Sequence, residues 1–93
     1  MTIYVDPLRE HAKMRGMLRG VSCHLATDGP MHELHTFAAK IGLPARAFHA
    51  HADHPHYDLR PDARASAIAA GAIEVTSKEL VKRCFRQGVA RRG

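Results

Sequence analysis

The chain contains no tryptophan, and its aromatic residues amount to two tyrosines and three phenylalanines. Stacking of bases on an aromatic platform therefore has little to draw on, and aliphatic side chains must fill the core. No apolar run approaches the roughly 20 residues that cross a bilayer. The chain opens on the strand-like Thr2-Ile3-Tyr4-Val5, where a secretory signal would place a basic region followed by an apolar stretch. A cytoplasmic protein without a membrane partner is the expectation. Cysteine is scarce too: Cys23 and Cys84 form no Cys-x-x-Cys pair, which argues against a disulfide framework or a zinc ribbon and predicts reduced, buried thiols. Gly16, Gly20 and Gly29 miss the spacing of a phosphate-binding loop, and Ser22, Ser66 and Ser77 lack the Gly-x-Ser-x-Gly elbow. Nucleophilic catalysis by serine or cysteine has little support.

What the chain does hold is histidine. Four of its eight histidines fall between His49 and Asp58, in the run His-Ala-His-Ala-Asp-His-Pro-His-Tyr-Asp. Neutral imidazole and carboxylate bind transition metals and move protons near neutral pH, so a short segment loaded with both suggests a site. The net charge of +5 is uneven. Lys78, Lys82, Arg83, Arg86, Arg91 and Arg92 make a basic C-terminal end, read either as a phosphate-attracting surface or as a solvated helix face.

At 93 residues the chain is expected to form one domain over 1–93, small enough that any site is shallow or shared with a second subunit. Thr2 to Asp6 reads as a strand. Residues 7 to 20 read as a loop with helical turns, because Gly16 and Gly20 weaken the pattern of Leu8, Met14 and Leu18. Val21 to Ala26 reads as a second strand, with Val21, Cys23 and Leu25 on one face and Ser22, His24 and Ala26 on the other. Asp28-Gly29-Pro30 starts a helix to about Ile41, with Met31, Leu34, Ala38 and Ile41 at helical spacing and Gly42 as its stop. A long His-rich connection follows, near 44–56. Beyond Pro55 the chain extends, so that His54, His56 and Asp58 share one side while Tyr57 and Leu59 face the core. Pro61 opens an alanine-rich helix that Gly71 ends, and Ala72 to Val75 is a short strand. Thr76-Ser77-Lys78-Glu79 is a capping box for a last helix to about Gln87 that buries Leu80, Val81 and Cys84. This order of elements predicts a small α/β fold, a mostly parallel three- or four-stranded sheet covered by about three helices. In such a sheet ligands gather at the carboxyl ends of the strands, where Asp6, Asp28 and His56 to Asp58 would converge; an antiparallel pairing of the first two strands would break that convergence.

Val5-Asp6-Pro7, His24-Leu25 with Asp28, Glu33-Leu34-His35-Thr36-Phe37-Ala38 with Ile41-Gly42, Phe48, His56-Tyr57-Asp58, Arg64, Gly71-Ala72 and Thr76-Ser77-Lys78-Glu79-Leu80 follow one another in an order and spacing that resembles a small bacterial and phage family catalogued only as a domain of unknown function. The resemblance covers nearly the whole chain. It implies a compact bacterial protein and brings no established activity, cofactor or catalytic residue. The chain departs from that pattern at Cys23, where an aromatic often precedes the histidine, and between His49 and Pro55, which looks longer and richer in histidine. His49, His51 and His54 on their own read as an adventitious, mobile metal-binding loop.

The residues nominate His24, His35, His56 and Asp58 as metal ligands, Asp6, Asp28 and His56 as catalytic groups, and Arg64 as an anion holder near a helix N-terminus. Taken alone, His35 reads rather as a packed core histidine that donates to a carbonyl, and His56 with Asp58 is also readable as an ordinary hydrogen-bonded strand edge. The expected cofactor is a divalent metal, zinc or manganese. The expected function is a metal-dependent hydrolase of phosphoester or nucleic-acid bonds, with nucleic acid or a phosphorylated small molecule as partner. The alternative is a non-catalytic basic module that binds nucleic acid or an acidic protein partner, and a third expectation is an accessory subunit completed by homo-oligomerisation.

Overall fold

The computed structural model of the chain describes residues 2–10 and 20–85. Of the loop with helical turns expected over 7–20, residues 11–19 lie outside the described residues, as do residues 86 and 87, where the last helix was expected to end, and the basic end after them. The elements in chain order are β1 (Ile3–Val5), β2 (Arg9–Glu10), β3 (Val21–Thr27), α1 (Met31–Lys40), a 3-10 turn (Ala45–Ala47), β4 (Phe48–His49), β5 (His56–Leu59), α2 (Pro61–Ala69), β6 (Ile73–Glu74) and α3 (Ser77–Cys84).

The strands form one six-stranded sheet in the order β4-β5-β3-β1-β6, with β2 also paired to β3. The expectation of a mostly parallel sheet of three or four strands is corrected here. Only β1 and β6 pair in parallel; β3 runs antiparallel to β1, β2 and β5, and β4 antiparallel to β5. The physical reason lies in the alternation of β3. A strand of a parallel sheet is covered on both faces and apolar on both, whereas one that carries Ser22 and His24 on one side belongs to a sheet with a partly solvated face. The strands β4 and β2 were not foreseen.

Each face of the sheet has its own cluster. On the first, Leu34 and Ala38 of α1 and Ala67 of α2 pack against Ile3, Val5, Cys23, Leu25, Tyr57 and Leu59. Leu25, Leu34 and Leu59 are fully buried, and each contributes about 1.5–3 kcal/mol by leaving water. On the second face, Leu80 of α3 and Phe85 pack against Tyr4 and Ala26. These two clusters follow the period of two, since Tyr4 pairs with Ala26 and His24 with Asp58 across neighbouring strands. The second face is thus apolar beneath α3 and polar beside it, where His24, His56 and Asp58 stand.

Local signals set the helix ends. Gly42 (φ 84°) and Gly71 (φ 112°) take left-handed conformations after α1 and α2. The following amides, of Leu43 and Ala72, reach back to the carbonyls of Ala38 and Ala67 at 2.9 Å, which satisfies carbonyls that the helix end leaves open. Pro61 opens α2, and Thr76 Oγ1 accepts the Glu79 amide at 3.0 Å to cap α3. The Glu79 carboxylate turns to Arg83, 3.2 Å away and one turn on. Cys23 is buried and Cys84 half-buried, both as free thiols; burial, with Asp6 near the first and Asp28 near the second, pushes each up to about 12. No helix among the described residues is long and apolar enough to cross a membrane.

Candidate metal centre

Asp6 follows β1 directly and continues its alternation onto the second face, beside His24 of β3. Its carboxylate accepts the His24 backbone N–H at 2.7 Å, His24 Nδ1 at 2.9 Å and the Ser77 hydroxyl at 3.1 Å. Its carbonyl accepts Arg64 Nε at 2.9 Å. The side chain is 3% exposed. Burial alone would raise its pKa, but the hydrogen bonds and charge of His24, with the Ser77 hydroxyl, outweigh burial and hold the carboxyl below its usual range. An ionised Asp6 fixes Nδ1 of His24 as the donor and leaves Nε2 as the nitrogen that could bind a metal.

His56 is oriented in a comparable way. Its Nδ1 donates to the His54 carbonyl at 2.7 Å, and its Nε2 lies 3.4 Å from Asp58 Oδ1. Burial would lower the pKa of this ring, while the Asp58 carboxylate and the His54 carbonyl raise it by more. Asp58 is held below the usual carboxylate range by the hydrogen bond to His56, against burial and with help from His49. The strand register explains why the three residues meet. His24 stands opposite Asp58 across β3 and β5, and His56 lies two residues before Asp58 on the same face. One ligand atom from each of His24, His56 and Asp58 lies within 4.8 Å of the others. They open on a cavity of about 270 Å³ that Asp6, Arg9 and Ser22 also line.

Of the residues nominated from the sequence, Asp6, His24, His56 and Asp58 come together; Asp28 and His35 do not. Because β3 runs antiparallel to β1, Asp28 emerges at the far end of the sheet, where its carboxylate accepts the Thr2 amide at 2.8 Å and the Tyr4 hydroxyl at 3.2 Å. The expected convergence therefore holds for Asp6 and fails for Asp28. His35 lies on the opposite face: its Nδ1 is 2.8 Å from the Tyr57 hydroxyl and its ring meets Phe48 edge-on. It is exposed rather than packed in the core, and its partner is a hydroxyl, not a carbonyl. Arg64 braces Asp6 from behind, its Nη2 reaching Glu74 at 3.4 Å, so both ends of its guanidinium face protein groups rather than an open anion site.

Sequence reasoning missed Ser77, Arg9 and the engagement of the histidine loop. The sequence places Ser77 within the cap, but Thr76 alone performs the capping, which frees the Ser77 hydroxyl for Asp6; Arg9 Nη2 in turn donates to Ser77 Oγ at 3.4 Å. His49 Nε2 lies 3.0 Å from Asp58 Oδ2. Its ring stacks on His56 at 4.9 Å, and the rings of His51 and His54 stack on each other at 4.2 Å. Phe85 closes the group, edge-on to His24, His54 and His56. The pairing of His49 with His56 could have been found only by recognising Phe48–His49 as a strand.

No curated protein and no solved structure matches the chain. A family model described as Protein of unknown function (DUF4031) matches residues 3–87, a span that contains Asp6, His24, His56, Asp58 and Ser77. The order of residues that suggested a family of this kind is thereby accounted for, and the chain belongs to the DUF4031 family.

Proposed function

We propose that this protein binds a divalent metal, zinc or manganese, through His24, His56 and Asp58, and uses it to hydrolyse phosphoester bonds, those of nucleic acid included. The observation that carries the reading is the meeting of two imidazoles and a carboxylate within 4.8 Å at the mouth of a cavity, with the far nitrogen of each ring already committed as a donor. The donor set fits the ion. Two nitrogens and one oxygen leave an open position on a tetrahedral centre, as hydrolytic zinc sites require, and a carboxylate or carbonyl behind each imidazole is the usual support of a metal-bound histidine. A metal so held supplies an activated water and a Lewis acid. Asp6 acts as a positioning residue, since it is buried and spent on His24 and Ser77. Exposed Arg9 on the cavity wall, and exposed Lys78 and Lys82 of α3 on the same side of the sheet, support an anionic substrate.

The test is the metal content of untagged protein purified without added metal, beside His56→Ala and Asp58→Asn, followed by assay on a chromogenic phosphodiester. Stoichiometric metal, absent from both folded variants, with hydrolysis lost alongside it, is the expected result. A folded wild-type chain that takes up neither zinc nor manganese overturns the reading. Exposed Lys78, Lys82 and Arg83 along α3 also favour a second reading, a non-catalytic module for nucleic acid or an acidic partner. That reading predicts metal-independent binding that weakens steeply with salt.

A further inference from the structure

We infer that Arg9 holds the phosphate of the substrate in the cavity beside His24, His56 and Asp58, and that what enters is one phosphate with a group of about a sugar's size, from a small molecule or the end of a strand and not from a strand's interior. The inference rests on the site proposed above and deepens it by naming the group that grips the substrate and the class of substrate that fits.

Register puts Arg9 there. Arg9 of β2 stands directly opposite Ser22 of β3, and residues paired in this way project from the same face of a sheet. Ser22 lies two positions before His24 on its strand, so Arg9, Ser22 and His24 share the second face. All three line the cavity together with Asp6, His56 and Asp58. The acidic neighbour Glu10 pairs with Val21 and alternates to the opposite face, away from the arginine. A chain of hydrogen bonds then ties Arg9 to a candidate metal ligand. Its Nη2 donates to Ser77 Oγ at 3.4 Å, the Ser77 hydroxyl donates to Asp6 Oδ2 at 3.1 Å, and the same oxygen accepts His24 Nδ1 at 2.9 Å.

The donors of Arg9 decide the ligand. A guanidinium carries five N–H groups in a planar fork, and the long bond to Ser77 takes one of them. Arg64, by contrast, spends Nε on the Asp6 carbonyl and Nη2 on Glu74. Exposed Arg9 therefore keeps donors for an anion, among the described residues, and a planar fork of charge-assisted donors matches the oxygens of a phosphate. Asp6, the carboxylate closest along that chain, is already taken up by His24 and Ser77.

Size sets the class. The cavity holds about 270 Å³, below the range of about 300–1,000 Å³ that encloses drug-sized ligands. A phosphate and one sugar-sized group fill such a space. A strand that continues on both sides of the phosphorus exceeds it.

The probe is inorganic phosphate, titrated into the zinc-loaded, untagged full chain and followed by phosphorus nuclear magnetic resonance. We expect saturable binding, weakened roughly tenfold or more in Arg9→Gln at unchanged zinc content, and only partly recovered in Arg9→Lys, which keeps the charge and loses the fork. Thymidine monophosphate should displace the phosphate, and a closed circle of single-stranded DNA, which has no end, should not. Zinc-loaded wild type that binds no phosphate, or binds it no more tightly than Arg9→Gln does, overturns the role of Arg9 and leaves the metal site standing. Displacement by the circle as readily as by the mononucleotide overturns the restriction to small molecules and strand ends. Folded wild type that takes up no zinc overturns the site on which the inference rests, and the inference with it.

Discussion

Asp6 joins three parts of the chain through one carboxylate. It receives the backbone and ring of His24 from β3 and the hydroxyl of Ser77 from α3, while Arg64 of α2 holds its carbonyl. Asp6→Asn keeps the volume, but it removes the charge and presents an amide nitrogen to groups that need an acceptor. With the site 3% exposed, a donor left without a partner there costs about 1–3 kcal/mol, readable as a lower urea midpoint at unchanged slope. The same change frees the ring of His24. If Asp6 fixes the tautomer of a metal ligand, the folded variant should bind metal roughly 10–100-fold more weakly. A purely structural Asp6 would lower the urea midpoint and leave the affinity of the folded fraction as it was.

At the scale of elements, α3 is the piece that divides the second face into a packed part and an open part. It is short, Ser77–Cys84, and too short to be helical by itself in water. Two local features hold it: the Thr76 cap at its start and Leu80, fully buried against Tyr4 and Ala26. Arg83 adds a contact over the Tyr4 ring, 5.5 Å from its centroid. The two features should separate by size. Thr76→Ala is expected to cost about 1 kcal/mol, and Leu80→Ala about 2–5 kcal/mol because it opens a cavity against the sheet, both measured by chemical denaturation. Since α3 also delivers Ser77 to Asp6, Leu80→Ala should weaken metal binding more than Thr76→Ala does. Equal affinities in the two folded variants would show that α3 takes no part in positioning the site.

For the molecule as a whole, size is the governing constraint. A domain of 93 residues buries a smaller share of its surface than a larger one and has limited stability from packing alone. A ligand that binds only the folded state then matters in proportion. Metal at a hundredfold excess over its dissociation constant adds about 2.7 kcal/mol, and near this size each kcal/mol moves the melting temperature by about 4–8 °C. Saturating zinc should therefore raise Tm by roughly 10–20 °C over the chelated protein, read by circular dichroism. His56→Ala should show almost no shift. A wild-type Tm indifferent to zinc and to chelator would remove the structural case for a native metal site.

The amino-acid order by itself determined what depends on near neighbours. Helix stops at Gly42 and Gly71, the Pro61 start, the Thr76 cap, and the placement of His24, His56 and Asp58 off the apolar faces of their strands follow from φ preferences, capping and the two-residue alternation, all decided within a few positions of the chain. The tertiary structure decided who stands beside whom. Whether β3 runs with or against β1 is a competition between distant segments for the same row of hydrogen bonds. That choice sends Asp28 to one end of the sheet and brings Asp6 to His24 at the other. The strand β4 was illegible for the same reason: two residues carry no period of their own, and only pairing with β5 sets His49 across from His56 and brings a histidine-rich connection against the candidate site.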